Sequence, residues 1–91
     1  MPEHRPHIDA QTMERTILRL LETRGVGKTI CPSEAARSAS GSNDRSTWEP
    51  LMEMARCAAN RLVSKGKLTI LQQGRVVDGA TVKGPIRLQL R

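Results

Sequence analysis

The chain has 91 residues and a formal net charge of +6, from 15 Lys and Arg against 9 Asp and Glu. This length allows a single compact domain, because domains usually contain about 100 to 150 residues and a smaller chain has little core to divide. The sequence has one Trp and no Phe or Tyr, which excludes the modules that bind single-stranded nucleic acid by stacking bases on aromatic side chains.

The first eight residues predict a flexible polar arm. Pro2 and Pro6 oppose regular structure there, and the arm offers little besides Ile8 for burial. The arm lacks the apolar stretch of a secretion signal, so we expect a cytoplasmic protein with reduced cysteines. The sequence contains no apolar run of roughly 20 residues, and no association with a membrane is expected.

The segment 10–24 predicts the first helix. Its apolar side chains recur at spacings of three and four, which places them on one helical face, while Glu14 falls outside that face. Asp9 can cap the first turn, and Gly25 can end the helix in a backbone conformation that glycine favours. The apolar face consists of Ala10, Met13, Ile17, Leu20 and Leu21.

A short β-prone stretch, 28–30, precedes the second predicted helix. That helix is expected over 32–39, because Pro32 suits a first helical position and Glu34 complements the positive end of the helix dipole. Residues 38–47 are rich in Ser, Gly, Asn and Asp and have no apolar periodicity. They predict a loop.

The third helix is predicted over about 46–64. Ser46 and Glu49 match a capping box, which leaves Pro50 within the first turn, and Gly66 supplies the stop. One face of this helix is apolar, with Leu51, Met54, Ala55, Ala58 and Leu62 at spacings of three and four.

The C-terminal part predicts two strands. Apolar and polar residues alternate over 68–70 and again over 86–90, which is the period of a half-buried strand. The segment between them, from Gly74 to Pro85, contains the turn-forming pairs Asp-Gly and Gly-Pro. The chain is therefore predicted to end in an antiparallel hairpin with a long loop.

These elements follow the order α-β-α-α-β-β. The second and third helices would form a helix-turn-helix, and the terminal hairpin would form a wing whose apolar face packs against the helices. Residues 9–91 are therefore predicted to form one α+β domain, a winged helix-turn-helix of three helices with a C-terminal antiparallel β-hairpin.

Three motifs in this order also resemble a known family. They are GKTICPSEAAR at 27–37, WEPLMEMARCAANRL at 48–62 and GRVVDGATVKGPIRL at 74–88. Together they resemble a family of small bacterial proteins, a domain of unknown function with a winged-helix-like fold. The resemblance covers about residues 9–91 and implies the same fold, but it implies no activity, ligand or site residue.

Two motifs resemble parts of ligand-binding sites but lack residues that such sites need. The sequence GVGKT at 25–29 is similar to the end of a phosphate-binding P-loop, but that motif needs Gly where Glu22 stands and must follow a strand. His4 and His7 provide two ligands where zinc usually needs three or four. No cofactor and no metal are expected.

The cysteines do not predict catalysis either. Cys31 precedes a predicted helix, where a thiolate would be stabilised, but no His outside the arm can act as its base. Cys31 and Cys57 are both interpreted as small core residues. Since no acid and base are paired, we do not expect an enzyme.

The positive charge is concentrated near the C-terminus. Residues 31–64 hold four bases and four acids, whereas residues 65–91 hold six bases and one acid, a net charge of +5. A basic wing suits contact with the phosphates of double-stranded DNA. The predicted phosphate contacts are Lys65, Lys67, Arg75, Lys83 and Arg87.

The third helix carries a mixed set of polar residues. Arg56, Asn60 and Arg61 lie away from its apolar face, and Arg and Asn are suited to read guanine and adenine edges. Glu49 and Glu53 oppose the approach of phosphate at the N-terminal half, which usually enters the groove deepest. Ordinary solvated residues explain the same pattern.

Two functions therefore stay open. One is a DNA-binding winged helix that contacts the duplex mainly through phosphate, as a possible transcriptional regulator. The other is a winged helix that binds a protein partner, which the near-neutral third helix favours. A monomer or weak homodimer is expected, because no long heptad helix provides a dimer interface.

Overall fold

The computed structural model of the chain describes residues 8–91. The predicted arm, with His4 and His7, thus lies outside the described residues except for Ile8. That side chain is half-buried and packs against the core.

The described residues form three long helices, two short helical turns and four strands. In chain order they are α1 (Ala10–Arg24), β1 (Thr29–Ile30), α2 (Pro32–Ser40), α3 (Arg45–Trp48), a 3-10 turn (Glu49–Leu51), α4 (Met52–Ser64), β2 (Leu68–Gln72), β3 (Arg75–Val76) and β4 (Arg87–Leu90). The prediction of a mixed α+β domain with three main helices is confirmed.

The first helix begins and ends at its predicted signals, and the second begins at its predicted signal. The Asp9 carboxylate accepts a hydrogen bond from the backbone N of Thr12 at 2.8 Å, and Gly25 ends α1 with a φ of 105°. Pro32 opens α2, and the Glu34 carboxylate accepts from the backbone N of Cys31 at 2.8 Å. These contacts satisfy N–H groups that a helix start leaves without a partner.

The third predicted helix is interrupted, and its predicted capping box is wrong. Asp44 is the N-cap instead, with Oδ1 accepting from the backbone N of Ser46 at 3.1 Å, so the helix begins at Arg45. Pro50 consequently lies beyond the first turn, where it has no N–H for the helical hydrogen bond. The chain passes through the 3-10 turn at Glu49–Leu51 before it continues as α4.

All four strands belong to one antiparallel sheet in the order β1-β4-β2-β3. The predicted pairing of the two C-terminal strands is therefore confirmed. The structure adds β3, which follows β2 after a two-residue turn at Gln73 and Gly74. Both turn residues have positive φ, 52° and 79°, as a tight hairpin turn of the favoured hand requires.

The helices cover one face of the sheet. On that face Leu88 of β4 lies between Ile30 of β1 and Ile70 of β2, and all three are at most 2% exposed. The rest of the core consists of side chains of α1, α2 and α4 together with the first residue of β2 and the residue before β4: Met13, Ile17, Leu21, Ala35, Ala55, Ala58, Ala59, Leu62, Leu68 and Ile86.

The prediction that both cysteines are core residues is wrong for Cys57, which is exposed, and Cys31 is half-buried. Position 57 is about 200° around the helix from the buried Ala55, so it points away from the core. Within residues 8–91, no helix has the length and apolar character needed to cross a membrane.

Candidate nucleic-acid interface

Arg75 and Lys83 both lie in the segment between β2 and β4, and the backbone of each lies next to Gln72. Arg75 pairs with Gln72 across the β2–β3 turn, and the Gln72 side chain donates hydrogen bonds to the carbonyls of Lys83, at 2.7 Å, and Pro85, at 3.2 Å. Both cations are exposed. Neither forms an ion pair with another residue of the described chain, so both charges are available to an anionic partner.

The segment 78–85, which we call the wing loop, is fastened to α4. The Arg56 guanidinium donates to the carbonyl of Gly84, and the Asn60 amide donates to the carbonyl of Gly79 at 3.4 Å. Both side chains are half-buried. Two of the three residues predicted to read base edges thus hold the wing loop in place, and their contact with bases stays a prediction.

Glu14 is the centre of a second basic cluster. The prediction that it lies on the outer side of α1 is wrong, because its side chain is only 7% exposed. Lys65 Nζ donates to Oε1 at 2.6 Å, and Arg61 Nε lies 3.2 Å from Oε2. A carboxylate can be buried there because these two cations compensate part of the cost of removing it from water.

This cluster includes a residue that sequence reasoning missed. Lys65 and Lys67 line a cleft together with Arg15 of α1. Arg15 is exposed and, like Lys67, has no ion-pair partner within residues 8–91. No local pattern could associate Arg15 with residues about 50 positions away, since only the packing of α1 on α4 brings them together.

The two basic groups lie at different parts of α4. The wing loop contacts Arg56 and Asn60, whereas Lys65 follows the last residue of the helix. The nine residue steps from Arg56 to Lys65 correspond to about 13.5 Å along the helix axis. The predicted DNA-binding residues are therefore divided between two places along α4.

Arg87 lies apart from both groups, on the β1 side of β4. Its guanidinium donates to Oγ1 of Thr29 at 3.0 Å and to the Thr29 carbonyl at 3.1 Å. Arg24 also donates to that carbonyl, at 3.2 Å, and forms an ion pair with Glu34. Arg87 thus joins a network that ties β1 to the start of α2.

The pKa of Glu34 is lowered within this network. Burial alone raises it, but the hydrogen bond from the Cys31 backbone, the bond and charge of Arg24 and the charge of Arg87 together outweigh the effect of burial. A carboxyl whose pKa is lower in the folded chain stabilises the fold above its unfolded pKa, near 4.3. That stabilisation is lost as the pH falls through the folded pKa.

Glu34→Gln is therefore expected to reduce the free energy of unfolding by about 1 kcal/mol at pH 7, the usual effect of weakening a helix cap. The difference from the wild type should shrink below about pH 4, where the wild-type carboxyl takes up its proton. Urea unfolding at several pH values measures it. Glu22→Gln, at an exposed position of α1, is the control; an equal loss in both variants, or one independent of pH, would contradict the assignment.

The acids at the start of the α4 region differ in their surroundings. Glu49 forms an ion pair with Arg45, four residues earlier on the same helical surface. Glu53 is exposed and has no ion pair among the described residues. Of the two carboxylates expected to oppose phosphate, Glu49 is thus paired with a cation, whereas the charge of Glu53 has no ion-pair partner within residues 8–91.

Comparison with known proteins identifies the family of the chain. A search of curated proteins finds no match. A family model described as "Protein of unknown function (DUF3253)" matches residues 10–91, which include every helix and strand described above. The chain therefore belongs to the DUF3253 family of proteins of unknown function.

Proposed function

We propose that the chain is a winged-helix protein that binds double-stranded DNA mainly through its phosphates. The observation that carries this proposal is the pair Arg75 and Lys83, two exposed cations between β2 and β4 that have no ion-pair partner among residues 8–91. Exposed cations of this kind can contact phosphates, which fixes a protein on a duplex without selecting its sequence.

The strand order supports the winged-helix part of the proposal. The short β1 between the first two helices pairs with the last strand, and that strand pairs with β2 directly after α4. In this proposal α2 and α4 are the two helices of the helix-turn-helix, and the residues between them, which include α3, form the turn. The β2–β4 hairpin with its wing loop is the wing. In this arrangement α4 and the wing loop face the duplex together.

The contacts between α4 and the wing loop determine how selective we propose the DNA binding to be. Arg56 and Asn60 each use a donor on a loop carbonyl, so the role that we propose for them is first to position the wing loop. Glu53 adds an exposed negative charge on α4. The proposed binding is therefore weakly selective for sequence. Arg61, Lys65, Lys67 and Arg87 contribute to it through their long-range field.

The test is a salt titration of binding to a fluorescent random-sequence duplex of 20 base pairs, followed by anisotropy. Log affinity should fall linearly with log salt, and Arg75→Gln with Lys83→Gln should lower the slope by about 1.8, at about 0.9 per lost phosphate contact. Charge reversal in Arg75→Glu with Lys83→Glu should weaken binding at least about tenfold at low salt.

Lys28→Gln is the matched control for Lys83→Gln, because it removes the same charge from an exposed residue. Lys28 precedes β1, which lies at the opposite edge of the sheet from β3. We expect the control to lower affinity less than Lys83→Gln does. Equal effects of the two substitutions, or no binding by the wild type at low salt, would overturn the proposal.

A further inference from the structure

A shallow, open cleft lies between α1 and the turn that follows α4, away from the wing loop. Its volume is about 220 Å³, and its walls include Glu14, Arg15, Leu18, Leu62, Lys65 and Lys67. Sites for drug-sized ligands usually measure roughly 300–1,000 Å³. The cleft therefore has room for a small compound only.

The charges in the cleft do not cancel. Three of its side chains are cations and one is a carboxylate, an excess of two positive charges. Glu14 is already engaged by Lys65 and, from outside the cleft lining, by Arg61. Arg15 and Lys67 have no ion-pair partner in the described part of the chain. A ligand with two negative charges would balance the lining.

The buried carboxylate gives the site a fixed element. As a whole residue Glu14 is 5% exposed. Its Oε2 has no hydrogen-bond partner within residues 8–91, although the Arg61 Nε lies 3.2 Å away. Burial of a carboxylate that is not fully hydrogen-bonded is costly for stability alone. Its bond to Lys65 holds that ammonium at the cleft, so an anion that binds there loses less side-chain entropy in ordering it.

The apolar side chains define the rest of the ligand. Leu18 and Leu62 lie in the same lining as the cations. One part of the cleft therefore attracts an anion, while another favours contact with an apolar group of the ligand. A phosphate monoester combines a group of nearly two negative charges near pH 7 with an organic body. A phosphodiester of a nucleic-acid backbone carries one negative charge per phosphate.

We propose that this cleft binds the phosphate group of a small phosphorylated compound through Arg15, Lys65 and Lys67, with Glu14 as the residue that positions Lys65. The site is separate from Arg75 and Lys83 and does not depend on DNA binding by the wing. The same phosphate chemistry could come from a duplex backbone, and the experiment separates the two sources.

The experiment is an NMR titration of the full-length, 15N-labelled chain with inorganic phosphate at pH 7.5, with sodium chloride adjusted to keep the ionic strength constant. We expect saturable shifts of backbone amides in 11–18 and 62–68 and none in 75–84. Arg15→Gln with Lys67→Gln should weaken phosphate binding about tenfold or more, since each contact is a charge-assisted hydrogen bond. The double substitution Arg75→Gln with Lys83→Gln removes two positive charges outside the cleft, and it should leave the affinity of the cleft for phosphate unchanged.

A second arm uses a 12-base-pair duplex in place of phosphate. Saturable phosphate binding in the cleft, lost only in the Arg15 and Lys67 variant, supports the proposal whether or not the duplex binds. Shifts that do not saturate, or that are spread over all basic residues, would overturn it. Cleft shifts caused by the duplex but not by phosphate would also overturn it, because the phosphate source would then be the nucleic-acid backbone.

Discussion

Leu88→Ala is expected to lower the free energy of unfolding by about 3 to 4 kcal/mol, within the range measured for such changes in packed cores. Leu88 is 0% exposed and lies in β4, the strand that pairs with both β1 and β2. Its neighbours in register are Ile30 and Ile70. Removal of its branched end leaves a cavity at the one position that both neighbouring strands share, and the paired backbones limit how far they can close it.

Urea unfolding followed by circular dichroism measures this loss. Because domains of this size are stable by about 5 to 15 kcal/mol, the variant should unfold at a clearly lower urea concentration. Val26→Ala is the control, since Val26 is 96% exposed, and its effect should stay within about 0.5 kcal/mol. A loss below about 1 kcal/mol for Leu88→Ala would contradict the burial of Leu88 in a packed core between Ile30 and Ile70.

The elements that the sequence predicts well are those whose signals are local. Asp9 and Gly25 lie at the two ends of α1 as predicted, because a cap and a left-handed glycine act within one helical turn. Where two local signals compete, prediction fails. Both Asp44 and Ser46 can cap a helix, and the structure uses Asp44, which moves Pro50 out of the tolerated first turn.

Strand β3 shows a different limit. Its hairpin turn has Gln73 at a position of positive φ, 52°, where Asn, Asp or Gly is the usual residue. A Gln-Gly pair therefore gives little turn signal, although Gly74 suits the second position. The turn-forming pairs between Gly74 and Pro85 predict a loop there, and no local signal predicts the pairing of Arg75 and Val76 with β2.

The candidate site is less predictable than the fold because its contacts are not local. The concentration of positive charge in 65–91 follows from counting, but its division into separate places depends on tertiary packing. Glu14 and Lys65 are 51 positions apart, and no periodicity of α1 could predict that Glu14 is buried with a partner. The contact of Asn60 with Gly79 likewise depends on where the wing loop folds back onto α4.

Gly79→Ala is the second substitution with a large expected effect, a loss of about 1 to 3 kcal/mol, the usual cost of overpacking. A Cβ at position 79 would lie 2.2 Å from Asn60 Oδ1 and 2.4 Å from Ile70 Cδ1. The Asn60 amide can rotate away, at the cost of its bond to the wing loop. Ile70 is 2% exposed, so either its Cδ1 must move to a less favourable position in the core or the loop must lift.

The sign of this effect is informative. Without a clash, Gly→Ala usually stabilises a protein by about 0.4 to 1 kcal/mol, because it restricts the unfolded chain. The φ of Gly79 is not among the positive values of the described chain, so alanine meets no backbone penalty there. A net loss therefore reports the close approach of the wing loop to α4 and β2, whereas a gain would contradict it.

A double-mutant cycle with Ile70→Val isolates the contact. Valine lacks the Cδ1 atom that the new methyl would meet, and by itself the change should cost about 0.5 to 1.5 kcal/mol. If the loop packs as described, Ile70→Val should cost less in the Gly79→Ala background, with a coupling of about 0.5 kcal/mol or more, whereas additive losses would place the strain elsewhere. Since Lys83 belongs to the wing loop, which contacts α4, Gly79→Ala should also weaken duplex binding at low salt. Ile70→Val in that background should restore part of the affinity, because removal of Cδ1 relieves the clash with the loop.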